Sequence, residues 1–222
     1  MNPKWIYAIF GIVLLSGMAF AISGATVDPE VERGKWAGNT SGSVTTEGGK
    51  VSGVNVSAGT STEKWASFYG DVVGSIVLAD SAATSVYSWT WATTDGGEVC
   101  VTQDQNYVWT NAETTTAALV DTAFGFAAAD ADSAANTLDD ACTVDLNEAP
   151  SVASVGATLL SSYTTCAVGD GTESAEDDFA FCTDINGTGV NYEGVSADYE
   201  LMVPTSDADA ETETYYFFIE LN

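Results

Sequence analysis

Apolar and polar positions alternate along most of this chain with the period of two that marks short, half-buried strands. Tyr87, Trp89 and Trp91 interleave with Ser88 and Thr90, and Val99 and Val101 flank Cys100. Residues 64–69, 72–78, 107–110, 179–183 and 199–203 read as further strands, the last stopped by Pro204. Residues 43–57 read as a hairpin turning at Gly48 and Gly49, with Val44, Val51, Val54 and Val56 as its apolar positions. Residues 214–221 are apolar on both faces: Tyr215, Phe217, Ile219 and Leu221 on one, Tyr216 and Phe218 on the other. Such a strand is normally covered on both sides, so it is expected to close its own sheet. Docking into a neighbouring subunit is the alternative.

Between residues 113 and 162 the texture changes to Ala, Asp, Ser and Thr. Residues 116–126 have the Ala and Leu of a short helix, but Gly125 and the lack of a clean helical period oppose it. The stretch is therefore expected to be a long loop-rich excursion. There is no repeat of about 20–50 residues and no Pro-rich linker. The expected fold is all-β, an antiparallel β-sandwich of Ig-like or jelly-roll-like architecture occupying residues 26–222 as one domain.

Ahead of it, residues 1–25 carry Lys4, an apolar run over 5–22 and small-residue sites at Ala21 and Ala25. This is the pattern of a secretory signal cleaved after one of those alanines. An uncleaved anchor helix is the alternative, since about 18 helical residues span roughly 27 Å. Membrane contact is expected only through this segment, if it is retained.

Charge sharpens the picture. The chain has 32 Asp and Glu against 5 Lys and Arg, no His, and a formal net charge of −27. No basic residue follows Lys64. Disorder is not the explanation, because 45% of residues are apolar and 11% aromatic. Carboxylates scattered along every segment repel one another unless salt screens them, and the Debye length is about 3 Å at 1 M. The composition is that expected of an extreme halophile. A nucleic-acid partner is excluded, because nothing could neutralise phosphates.

Without His no Ser-His-Asp triad can form, and with so many acids a carboxylate pair carries no information. The chain is not expected to be an enzyme. Cys100, Cys142, Cys166 and Cys182 are expected to form two disulfides, with three pairings open. Cys100 with Cys182, both on strand-like runs, and Cys142 with Cys166, stapling the middle, is the favoured set. Sequons at Asn39, Asn55 and Asn186 are candidate glycan sites.

No cofactor is certain, and Ca2+ is the one considered. Asp184, Asn186 and Thr188 loosely follow the start of an EF-hand loop, although position twelve is Val195 rather than Glu. Glu173, Glu176, Asp177 and Asp178 form the densest acidic cluster, and Asp130 with Asp132 and residues 207–211 are acidic alternations. For each, a solvated loop competes with a cation site. Trp89 and Trp91 are expected in the core, with Ser88 and Thr90 as the wet side; a sugar-stacking platform is the alternative.

The segments "TTEGGKVSGVNVSAGTSTEKWASFYGDVVGSIVLAD", "SVYSWTW", "DDFAFCTDINGTGVNYEGVSADYELMVP" and "TYYFFIEL" resemble a group of exported archaeal β-rich proteins of unassigned function. The resemblance implies an extracellular or cell-surface β protein, and no activity travels with it. The expected role is a secreted or surface-attached structural protein, an envelope, filament or adhesion subunit that self-associates. A carbohydrate- or divalent-cation-binding module is the alternative.

Overall fold

Two strands with buried side chains on both faces form the centre of the fold: β5 (Asp95–Thr102) and β10 (Phe179–Asn186). The computed structural model describes residues 23–25, 27, 43, 45, 47–57, 59–90, 95–146, 151–206 and 213–221. Around the central pair runs one antiparallel sheet. Its order is β1 (Ser23–Gly24), β12 (Tyr216–Glu220), β5, β10, β9 (Thr164–Gly169), β8 (Val152–Thr158) and β7 (Asp140–Val144). The two-residue β6 (Glu113–Thr114) also pairs with β9.

Alternation distributes the central side chains between two cores. Val99, Val101, Phe179, Phe181 and Ile185 point to one face. There they meet Leu201 and Val203 of a ribbon formed by β2 (Trp65–Gly70) and β11 (Tyr199–Pro204). The Met202 N–H donates to the Thr165 hydroxyl at 2.8 Å, tying this ribbon to the main sheet. Cys100, Ala180 and Cys182 point the other way. Their small side chains leave room for Tyr107 and Trp109, whose rings lie 4.6 Å apart, and for Phe218 at 5.2 Å from Trp109. The architecture is an antiparallel β-sandwich, as the alternation implied.

The sheet turns a corner at Gly156. Its β8 pairs with β7 over Val152–Gly156 and with β9 over Gly156–Thr158. The Cys142–Cys166 disulfide passes over this point, and a Cβ on Gly156 would sit 2.4 Å from the Thr165 carbonyl oxygen and 2.7 Å from Cys142 Sγ. Only glycine fits beneath the bridge. The corner carries Val144 and Val152 back over the second core.

The stretch read as loop-rich holds more regular structure than its composition suggested. Helix α1 (Ala117–Ala123) forms because the Thr116 hydroxyl accepts the Leu119 N–H. It is anchored to α2 (Ala134–Thr137) by the buried Asp121 carboxylate, which accepts the Ala134 and Ala135 N–H groups at 2.6 and 3.1 Å. Both β7 and β8 also lie within it.

Other expectations need correction. Residues 107–110 form no strand; Tyr107 and Trp109 are buried around a 3-10 turn, Trp109–Asn111. The turn at Gly48–Gly49 exists, with Gly49 at φ 84° and the Lys50 N–H donating to the Glu47 carbonyl at 3.3 Å. No ladder follows it among the described residues. Val51 and Val54 fall on opposite faces at a spacing of three, so no apolar face gathers, and Val51, Val54 and Val56 are exposed. Residues 1–22, with the signal or anchor segment, lie outside the described residues, as do Asn39, Val44 and Trp91. No helix among the described residues is long and apolar enough to cross a membrane.

Candidate functional site

The cysteines pair as Cys100–Cys182 and Cys142–Cys166, with Cα–Cα distances of 4.0 and 5.9 Å. Cys100 and Cys182 face each other directly across β5 and β10. Two such bonds belong to a chain that folds in an oxidising compartment. Mass spectrometry of the unreduced protein is expected to show four fewer hydrogens than the reduced form. Four alkylatable thiols without reductant would contradict this.

One row of side chains next to these bridges is unlike the rest. Glu98 on β5 sits opposite Asp184 on β10 and opposite Glu220 on β12. Three carboxylates therefore stand side by side across three adjacent strands, on one face. Directly opposed side chains have Cβ atoms about 5 Å apart, where like charges destabilise a sheet. Glu98 and Glu220 are only 4% and 2% exposed. Burial, followed by the charges of Glu220 and Asp184, pushes the Glu98 carboxyl up to about 8, against the opposing pull of the Asp145 N–H. Asp184 keeps part of its surface in solvent and is also raised, by burial against the sheet and by Asp145. Glu98 Oε2 is buried and has no hydrogen-bond partner. Beside it lies a cavity of about 220 Å3, lined by Glu98, Asp184, Thr143, Thr164 and the bridging cysteines.

The acidic groups singled out in the sequence are arranged otherwise. Asp184, Asn186 and Thr188 do not form a ligand set. Asn186 Oδ1 accepts the backbone N–H and the hydroxyl of Thr188 at 3.0 and 2.9 Å, closing a turn at the end of β10. Its half-buried side chain also makes Asn186 a poorer sequon than the exposed Asn55. In the 173–178 cluster, burial pushes Asp178 upward, but three hydrogen bonds from Ser174 and Ala175 outweigh it and leave the carboxyl low. Glu173 folds back over Gly169, whose missing Cβ leaves it room. Neither Glu176 nor Asp177 joins them in a cage, and no three acidic side chains converge as a metal site among the described residues. Asp130 and Asp132 are held by Lys64 at 2.5 and 3.0 Å, so an ammonium already fills the place considered for a metal. Residues 207–211 lie outside the described residues.

The tryptophan strand is the largest departure. Instead of entering the core, β4 (Ser85–Thr90) pairs among the described residues only with β3 (Ser75–Ala79), and every residue of β4 is exposed. Leu78 lies opposite Tyr87, with Trp89 two positions on along the same face. Leu78, Tyr87 and Trp89 are 55%, 56% and 51% exposed. The two rings meet edge to face at 4.6 Å, at 65° to each other. Trp91, the other ring of the stacking platform considered, lies outside the described residues.

Known protein families, curated proteins and solved structures contain no match to this chain. The functional reading therefore rests on the hairpin and on the acidic row.

Proposed function

We propose that this is a secreted or cell-surface structural protein of an extreme halophile, an envelope, filament or adhesion subunit, whose copies associate through the β3–β4 hairpin. The observation that carries the reading is an exposed aromatic hairpin on a disulfide-bonded, otherwise acidic sandwich. A lone two-stranded ribbon is marginal in water, and its open edges and apolar face are the features that template association. The charge pattern favours a second copy as the partner. Like copies at −27 each repel wherever carboxylates meet, yet residues 72–94 contain one acid, Asp80. That carboxylate is spent inside the turn, accepting the Ala82 and Thr84 N–H groups at 2.9 and 2.8 Å. Two hairpins meeting edge to edge would make a self-complementary, two-fold contact free of opposed charges.

Sedimentation at about 3 M salt tests it. The native chain is expected to form dimers or longer assemblies. The double variant Leu78→Asp, Trp89→Asp is expected to remain monomeric with unchanged circular dichroism, because both side chains are exposed. A monomeric native chain, or a variant that assembles equally well, would overturn the hairpin contact. The archaeal origin and the export of the chain belong to the same proposal.

A further inference from the structure

We propose that the cavity beside β5, β9 and β10 binds one divalent cation of calcium-like chemistry through the carboxylates of Glu98 and Asp184. Three observations converge on this site. Glu98 is almost wholly buried, yet Oε2 has no hydrogen-bond partner. Glu98 and Asp184 face each other in the β5–β10 ladder and both line the same cavity. Glu220 adds a third carboxylate to the row from the opposite side.

The donors decide the class of ion. They are hard oxygens: the carboxylates of Glu98 and Asp184, with Thr143, Thr164 and Thr183 among the residues lining the cavity. No imidazole is present anywhere in the chain, and the cysteines are consumed in disulfides. Such a set suits calcium, which accepts irregular oxygen shells at about 2.3–2.6 Å, and disfavours softer metals. No three acidic side chains converge among the described residues, so water must complete the shell. A cavity of about 220 Å3 holds an ion and several waters at roughly 30 Å3 each. Bound there, the ion would neutralise the row at the point where β12, β5 and β10 run side by side. Cation binding would then be coupled to the stability of the central sheet.

Thermal melting of the full, disulfide-intact chain in about 3 M sodium chloride tests the site, comparing chelator with added calcium chloride. Calcium at about a hundredfold its Kd is expected to raise Tm by roughly 5–10 °C. Glu98→Gln is expected to abolish that rise while melting no lower than the native chain in chelator, since the amide removes the buried charge. Asp184→Asn, at a partly exposed position, is expected to reduce the rise and serves if the first variant does not fold. The surface variant Asp177→Asn is expected to keep it in full. Absence of any calcium response in the native chain would overturn the proposal and leave Glu98 as a buried neutral acid. A full response in Glu98→Gln or Asp184→Asn, or loss of the response in Asp177→Asn, would overturn it equally, by assigning the effect to the general acidic surface.

Discussion

Transfer from about 3 M to 0.1 M salt is expected to abolish the cooperative folded state, read as a loss of strand circular dichroism and a fall in Tm of tens of degrees. Two unit charges about 10 Å apart in water repel by roughly 0.4 kcal/mol without screening. The Debye length is about 10 Å at 0.1 M but only about 3 Å at 1 M, so salt removes most of this. With a net charge of −27 on 222 residues, each carboxylate has several such neighbours. Their sum is comparable with the roughly 5–15 kcal/mol that holds a domain folded. The disulfides do not relieve repulsion, so the reduced protein is expected to lose its structure at higher salt than the oxidised one. A Tm that holds within a few degrees across the range, in both redox forms, would refute the halophilic reading of the charge.

Deletion of residues 214–221 is expected to prevent folding altogether. Strand β12 pairs with β5 along Tyr216–Glu220 and with β1 on its other edge. Phe217, Ile219, Tyr215 and Leu221 pack on the main core, and Phe217 lies 5.2 Å from Phe68. Removing the strand would open the edge of β5, whose Val99 and Val101 are 4% and 0% exposed. The single change Phe217→Ala is expected to cost about 3 kcal/mol, at the low end for a phenylalanine because the ring is only partly buried. Chemical denaturation of that variant and circular dichroism of the deleted chain measure the two effects. A deleted chain that folds and then captures a peptide of residues 214–221 would show instead that the strand is a donor to neighbours.

The strands most legible in the sequence were those whose alternation is long or whose two faces are both apolar. Residues 179–183 and 199–203 became β10 and β11, and the terminal run became β12. The helix α1 was harder to see because its seven residues end just before Gly125 and its stability comes from the Asp121 link to α2, a contact between segments. The Tyr107–Trp109 run has the residue types of a strand, but its rings fill the second core from a turn. Propensity describes what suits a pleated, half-buried surface, and both rings obtained burial without one.

The candidate site was half visible. Asp184 stood out, but in the company of Asn186 and Thr188, its neighbours along the chain. Its facing partner is Glu98, 86 positions earlier, brought opposite by the β5–β10 register. No spacing within the sequence carries that information, because register is set by how whole faces fit together.

Alternation by itself determined the all-β class and the two-sided character of the last strand, because each follows from side-chain chemistry summed locally. Which apolar face is covered was decided by the tertiary structure. The alternation of Tyr87 and Trp89 is as regular as that of Val99 and Val101, yet one strand is exposed throughout and the other lies at the centre. A strand's pattern states that it has a face to bury. Only the assembled sheets, with limited area to cover, decide which faces are buried within the chain and which are left for another surface.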